Sequence, residues 1–96
     1  MRPEEIRQLR KDIGLSRENF ARIFCVAPMT ITYWENGQRT PPDIYVANLM
    51  RLRQKVDATR ANNPDNVPDL GNQMLGFLIA GGLLAFLIWL FANDDN

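Results

Sequence analysis

The stretch RENFARIFCVAPMTITYWENGQRTP, residues Arg17–Pro41, decides the fold of this chain. Three apolar side chains in its first half share one helix face, with the spacing i, i+1, i+4: Phe20, Ala21 and Phe24. Ile31 and Trp34, spaced i, i+3, share one face of a second helix. Because few residues separate these faces, the sequence predicts two helices that meet at a steep angle through a tight turn.

Capping residues define the ends of both helices. Ser16 is placed to cap the first of them, and Pro28 suits the first position of the second, where a missing N–H group costs nothing. Gly37 follows the last apolar position and suits a left-handed C-cap. The two prolines at 41 and 42 then prevent the helix from resuming. The sequence therefore predicts helices that end near residues 24 and 36.

The segment LSRENFARIFCVAPMTITYWENGQRTP resembles the helix-turn-helix of the Cro/phage-repressor (XRE-like) type, and within it the antitoxin-like consensus LSxxxFAxxFxVxxxTIxxWExGxRxP. The resemblance extends from about Ile6 to Lys55. Two residues depart from the pattern: Cys25 holds the turn position usually occupied by glycine, and Ala27 replaces the serine that usually starts the recognition helix. A weaker cap is expected there.

The resemblance implies a DNA-binding surface centred on the second helix of the motif, which lies in the DNA major groove in this family. The positions that would face bases are Pro28, Met29, Thr32 and Tyr33. The positions that would contact phosphates are Arg17, Thr30 and Arg39. Glu35 is expected to be structural and to pair with a nearby arginine or with backbone. The recognition helix has no Arg, Lys or Gln, which are strong base readers, so sequence discrimination is expected to be modest.

Composition narrows the class of protein. Of the 96 residues, 11 are basic and 11 acidic, but all the basic ones lie in residues 1–60, which carry 7 acids and a net charge of +4. Such a basic N-terminal part suits a nucleic-acid binder. There is no histidine, one cysteine and no glycine-rich phosphate loop. We therefore predict that the protein is not an enzyme and has no catalytic residues, no metal site and no cofactor.

Two further amphipathic helices complete the predicted domain, residues 1–57. Pro3 opens the first helix of the chain, whose apolar stripe is Ile6, Leu9 and Ile13; its arginines at 7 and 10 are assigned to the solvated face. Pro42 and Asp43 start a last helix with helical spacing in five apolar residues: Tyr45, Val46, Leu49, Leu52 and Val56. A domain of this size is marginal alone, so a homodimer is expected to help.

The C-terminal third has a different character. Residues 58–73 are polar, contain two prolines and predict a flexible linker. Residues 74–92 are 19 residues without a charge, MLGFLIAGGLLAFLIWLFA. A helix of that length spans about 28 Å, close to the hydrocarbon core of a bilayer. The pattern predicts a single transmembrane helix followed by a short acidic tail, residues 93–96. The alternative, a buried core helix, is disfavoured because the run is apolar on every side and no element remains to cover it.

The complete prediction is an all-α chain: a helix-turn-helix bundle of four to five helices plus a single C-terminal transmembrane helix. The basic residues all precede the span, which predicts a single-pass protein of the bacterial inner membrane with its N-terminal domain in the cytoplasm. The predicted function is that of a membrane-anchored, sequence-specific DNA-binding protein, a transcriptional regulator of bacterial or phage origin. Its predicted partners are double-stranded DNA and the lipid bilayer. The alternative is a membrane-anchored helix-turn-helix adaptor with little DNA binding, whose recognition helix binds a cytoskeletal or other cytoplasmic protein.

Overall fold

A computed structural model describes residues 1–91 of the chain, with side chains at all of these positions except residue 83. The elements in order are α1 (Pro3–Asp12), α2 (Arg17–Phe24), α3 (Pro28–Asn36), α4 (Asp43–Asn62), a 3₁₀ helix (Pro64–Asp69) and α5 (Leu70–Phe91). Over this part of the chain there is no strand, so the predicted all-α class is confirmed. The predicted tail, residues 93–96, lies outside the described residues.

The first four helices enclose the core that the sequence predicts. The stripe of α1, Ile6 and Leu9, and the adjoining C-cap Ile13 are at most 1 % exposed. The inner face of α4 is fully buried at Leu49, Leu52 and Val56. α3 packs against both α1 and α2. The arrangement holds the outer face of α3 away from the core.

The segment predicted as a flexible linker, residues 58–73, is regular in the structure. It contains the end of α4, the 3₁₀ helix and the first turn of α5. Val67 and Leu70 are buried in the same core as the helix-turn-helix, and the Gly71 N–H donates to Ile13 O at 3.2 Å. A Cβ at Gly71 would collide with Ile13 O and the Leu15 side chain. These two apolar residues and the close approach at glycine therefore tie the segment to the domain.

α5 is broken near its middle and folds back on itself. Gly82 has φ 73° and ψ −171°, a conformation outside the helical region that is nearly restricted to glycine. The rings of Phe77 and Trp89 stack with centroids 5.7 Å apart. In a continuous helix these two residues would be separated by about 18 Å along the axis. The two halves of α5 therefore form a helical hairpin.

The predicted transmembrane helix over residues 74–92 is wrong. The break at Gly82 divides the apolar run, and each half buries one stripe against the domain, with Met74 in the first half and Phe86 and Leu90 in the second. Among the described residues, no helix has both the length and the apolar character that crossing a bilayer requires. The predicted single-pass location in the inner membrane rested on that helix and is corrected with it, and the predicted lipid partner loses its support.

Two cations of α4 hold the C-terminal end of the hairpin. Lys55 Nζ donates to Trp89 O at 2.9 Å and lies 4.6 Å from the centre of the Trp89 ring. Arg51 Nε donates to Leu90 O at 2.8 Å. Carbonyl groups in the last turn of a helix lack partners within the helix and carry partial negative charge, so both contacts are favourable. The apolar run of α5 is therefore covered on one side by α2 and α4.

Candidate nucleic-acid interface

The turn between α2 and α3 is fixed by capping at both sides. Ser16 Oγ accepts a hydrogen bond from Asn19 N at 3.2 Å, which confirms the predicted N-cap of α2. α2 ends at Cys25, which adopts the left-handed conformation with φ 57° and ψ 41°. The Val26 N–H donates to Ala21 O at 3.0 Å and closes the turn. The position usually held by glycine therefore keeps its glycine-like geometry with a cysteine.

α3 begins with the weak cap that the sequence predicts. Ala27 offers no side-chain acceptor, and the first helical residue is Pro28. On the inner side, Ile31 is fully buried and Trp34 is 3 % exposed, with its ring 5.3 Å from that of Tyr45. The inner side of α3 is thus fixed by apolar packing, and its orientation is the predicted one.

The predicted base-facing residues lie together on the outer side of α3. Pro28 and Met29 are exposed, the latter by 56 %, while Thr32 and Tyr33 are half-buried. The Thr32 hydroxyl lies 3.5 Å from Pro28 O, a long contact that leaves it available to another acceptor or donor. The outer side is therefore a mixed apolar and hydroxyl surface.

The residues predicted to contact phosphate lie at the margins of this surface. Thr30 is half-buried near the start of α3, where its N–H donates to Ala27 O at 2.9 Å. Arg17, at the start of α2, has 43 % of its side chain exposed, and its Nε donates to Glu35 Oε1 at 3.2 Å. Arg39 follows α3 and is exposed. Its guanidinium carbon lies 4.5 Å from the centre of the Tyr33 ring.

Glu35 is the centre of an ion-pair network that joins α1, α2 and α3. Its side chain is fully buried and accepts two hydrogen bonds from Arg10, from Nε at 2.6 Å and from Nη2 at 3.0 Å. The Arg17 contact adds a third, and Arg7 Nη2 donates to Glu35 O at 3.3 Å. The predicted structural role of Glu35 is confirmed. The network fixes the orientation of α3 relative to α1 and α2.

Ionisation of Glu35 is favoured by these arginines. Burial by itself raises the pKa of the Glu35 carboxyl, but the hydrogen bonds and charge of Arg10, followed by those of Arg17, outweigh it and bring the pKa below its ordinary value of 4.5. The carboxylate is therefore charged at neutral pH, and it holds Arg17 beside the start of α2.

Two features of the site differ from the sequence reading or were missed by it. Arg10 was assigned to the solvated face of α1, yet only 12 % of its side chain is exposed, because it turns inward to Glu35. Two features of the sequence could have indicated that Arg10 turns inward: it follows the buried stripe residue Leu9, and Glu35 needs a basic partner. The stacking of Arg39 on Tyr33 was also missed, since no spacing rule joins a helix residue to a loop residue six positions on.

These features define a helix-turn-helix domain with an uncovered recognition helix. Residues 6–52 match the helix-turn-helix family model, of the Cro/C1 type. This family binds DNA and is not enzymatic, and the match supports a DNA-binding regulator; it does not identify the antitoxin-like subgroup. Comparisons with curated proteins and with solved structures found no significant match.

Proposed function

We propose that the protein is a sequence-specific double-stranded-DNA-binding protein that regulates transcription, and that α3 reads the major groove. The observation that carries the proposal is the division of α3 into two sides. Ile31, Trp34 and Glu35 are buried, whereas the four predicted base-facing residues are exposed or half-buried on the other side. A helix held in this way can enter a major groove without loss of core packing.

The base contacts that this surface allows are of two kinds. The methyl group of Thr32 and the side chain of Met29 can contact thymine methyl groups, and the hydroxyls of Thr32 and Tyr33 can each make a single hydrogen bond to a base edge. The surface lacks a side chain that makes two hydrogen bonds to one base. A side chain that makes two hydrogen bonds to one base contributes about 1–3 kcal/mol of discrimination, so here discrimination should arise from the sum of several weaker contacts.

The backbone contacts would come from the flanks of α3. Arg17 precedes α3 in the sequence, at the start of α2, and Arg39 follows α3, in the loop after it. Each is tied to the domain, Arg17 through Glu35 and Arg39 through Tyr33, so less side-chain freedom is lost when a phosphate binds. Thr30 adds a hydroxyl near the start of α3.

The experiment is a salt-titrated binding assay with the full chain and DNA fragments selected from a random-sequence pool. Binding should weaken linearly on a log–log plot, with a slope of about −0.9 for each phosphate contact. Thr32→Val and Tyr33→Phe remove one hydroxyl each and should change the selected sequence, while Arg17→Ala should weaken binding to all sequences alike. An affinity that is insensitive to both salt and DNA sequence would contradict the proposal.

A second candidate is a protein-binding role for the same helix, and the exposed Met29 favours it. A methionine that is 56 % exposed beside a half-buried tyrosine is also suited to a protein groove. Crosslinking from position 33 inside cells distinguishes the two candidates. DNA-dependent products that disappear after nuclease treatment support DNA binding, whereas a nuclease-resistant product with a single protein supports the second candidate.

A further inference from the structure

The second half of α5 has two apolar faces, and only one of them is used by the domain. Phe86 and Leu90, spaced i, i+4, are at most 2 % exposed. The other face has the spacing i, i+4, i+7, and its side chains are 71 %, 63 % and 53 % exposed at Leu84, Ile88 and Phe91. We call these three residues the outer ridge. In a helix, this spacing places them in one continuous stripe.

The first half of α5 extends this apolar surface. Phe77 is 41 % exposed and Ile79 is 81 % exposed. An open groove of about 550 Å³ runs beside them, and it is lined by Gln73, Gly76, Phe77, Ala80, Gly81 and Ala85. No residue between Leu70 and Phe91 is charged. The hairpin therefore offers a neutral surface on both of its halves.

The size of this surface suits an interface between proteins. The exposed fractions of the ridge, Phe77 and Ile79 amount to about three whole side chains. At roughly 150–200 Å² for each large side chain, that is on the order of 500 Å² of apolar surface. A stable interface takes about 800 Å² from each partner, of which about 56–65 % is apolar, or roughly 450–520 Å². The hairpin supplies the apolar part of one such interface.

We propose that a second copy of the chain covers the hairpin, so that the protein dimerises through the outer ridge, Phe77 and Ile79 of two α5 hairpins. A two-fold interface brings the same patch of both copies together, and a patch without charge meets itself without repulsion. α5 packs on α2, α4 and the 3₁₀ helix, whereas α3 packs on α1 and α2. A dimer formed through α5 therefore leaves the outer side of α3 available in both copies. The inference does not depend on DNA binding.

Sedimentation equilibrium of the full chain tests the proposal without DNA. We expect a monomer–dimer equilibrium with a dissociation constant in the micromolar range or below. Ile88→Asp places a charge in the centre of the ridge and should raise that constant at least tenfold. The matched control is Met50→Asp, a helical and 50 % exposed apolar residue on α4, which should leave it within about threefold. Circular dichroism melting of both variants checks that they fold.

A crosslinking measurement keeps the test independent of any effect of the aspartate on folding. In a Cys25→Ser background, Leu84→Cys should give a covalent dimer with a short bismaleimide, and Met50→Cys should not. The proposal is overturned by a wild-type monomer at all concentrations, by larger assemblies instead of a dimer, or by a dimer that Met50→Asp disrupts and Ile88→Asp does not. A monomer whose hairpin is protected only by lipid vesicles would overturn it as well.

Discussion

The guanidinium of Arg39 lies 4.5 Å from the centre of the Tyr33 ring, so a residue predicted to contact phosphate rests on one predicted to face bases. The loop between them is closed by the Gln38 N–H, which donates to Tyr33 O at 3.0 Å. A cation over an aromatic face is stabilised by about 0.5–1 kcal/mol when exposed. The ring therefore restricts where the Arg39 charge can lie, and the two positions should act together on DNA.

The first prediction concerns this pair. Arg39→Ala should weaken binding to all DNA sequences alike and reduce the salt slope by about one, because a phosphate contact is lost. Tyr33→Ala should change sequence preference and also reduce the effect of Arg39→Ala. A double-mutant cycle measured by fluorescence anisotropy should give a coupling of about 0.5–2 kcal/mol. Lys11→Ala, an exposed cation of α1, is the control, and strict additivity would show that the stack has no role in binding.

The second prediction separates folding from binding within α3. Trp34→Ala should lower the free energy of unfolding by about 3–5 kcal/mol, because a buried aromatic side chain leaves a cavity. Tyr33→Ala should change it by less than about 1 kcal/mol, because that ring is half-buried. Urea unfolding followed by circular dichroism measures both. Equal losses for the two variants would mean that the inner and outer sides of α3 have been assigned incorrectly.

The third prediction is a loss of stability in acid. The pKa of Glu35 lies below its ordinary value of 4.5 because Arg10 and Arg17 outweigh burial. The pKa of Asp12 lies below 3.8 because its hydrogen bonds from Gln8, Arg53 and Arg60 outweigh burial. A carboxyl with a lowered pKa stabilises the fold fully above its unfolded value, and that contribution is lost as the pH falls through the folded value. Urea midpoints should be constant from about pH 7 to 5 and fall below about pH 4.5.

Glu35→Gln measures how much of the acid-induced loss of stability comes from the ion pairs of Glu35 with Arg10 and Arg17. The substitution should lower the free energy of unfolding by about 2–4 kcal/mol at pH 7, since it leaves the largely buried Arg10 without its carboxylate. It should also flatten the pH dependence. Glu18→Gln, on the exposed first turn of α2, should change stability by less than about 0.5 kcal/mol. A pH profile that is the same in wild type and Glu35→Gln would remove Glu35 from the explanation.

The fourth prediction uses the backbone of Cys25. A left-handed conformation costs a residue with a Cβ roughly 1–2 kcal/mol. Glycine avoids that cost but loses more chain entropy on folding, which offsets part of the gain. Cys25→Gly should therefore stabilise the protein by about 0.5–1 kcal/mol, measured by thermal melting. Gly37→Ala is the matched reverse change, because Gly37 has φ 76°. It should destabilise by a similar amount, and a stabilising Gly37→Ala would contradict the argument.

The fifth prediction concerns the break in α5. An added Cβ at Gly82 would meet no atom within 4 Å, so any cost of Gly82→Ala comes from the backbone alone. That cost should be about 1–3 kcal/mol, because the conformation is nearly restricted to glycine. Gly76→Ala also meets no atom within 4 Å but lies in a regular turn of helix, and it should be neutral or slightly stabilising. Trp89 fluorescence in a Trp34→Phe background should report release of the hairpin. A Gly82→Ala protein as stable as wild type would show that the fold-back is not required.

The helix-turn-helix was predictable because its determinants are local. Ser16, Pro28 and Gly37 mark helix ends through their own backbone and side-chain chemistry, and the buried residues follow from spacing within one helix. The hairpin was not predictable in that way. Hydropathy is the same whether lipid or protein covers an apolar helix, so the run at 74–92 was assigned to a bilayer. Adjacent glycines at 81 and 82 weaken a helix, but glycine is also frequent in transmembrane helices, so this pair gave no signal of a break.

Contacts between α4 and α5 also depend on pairs that no periodicity joins. Lys55 and Trp89 are 34 residues apart, and Arg51 and Leu90 are 39 apart. Lysine and arginine in a helix usually indicate a solvated face, yet here their side chains bind the end of another helix. The position of Arg10 was misread for the same reason, because the partner that draws it inward lies 25 residues further along the chain.

Folding of this chain must also bury the hairpin that Gly82 creates against α2 and α4. The helix-turn-helix is closed by contacts of short range, and chains rich in such contacts fold quickly. The hairpin packs on α2 and α4, and during synthesis it leaves the ribosome after both of them. Until it arrives, the apolar residues of α2 and α4 that it covers are open to other chains. The interval before the hairpin docks is therefore when the nascent protein is most exposed to aggregation, and a chaperone that binds apolar segments would act then.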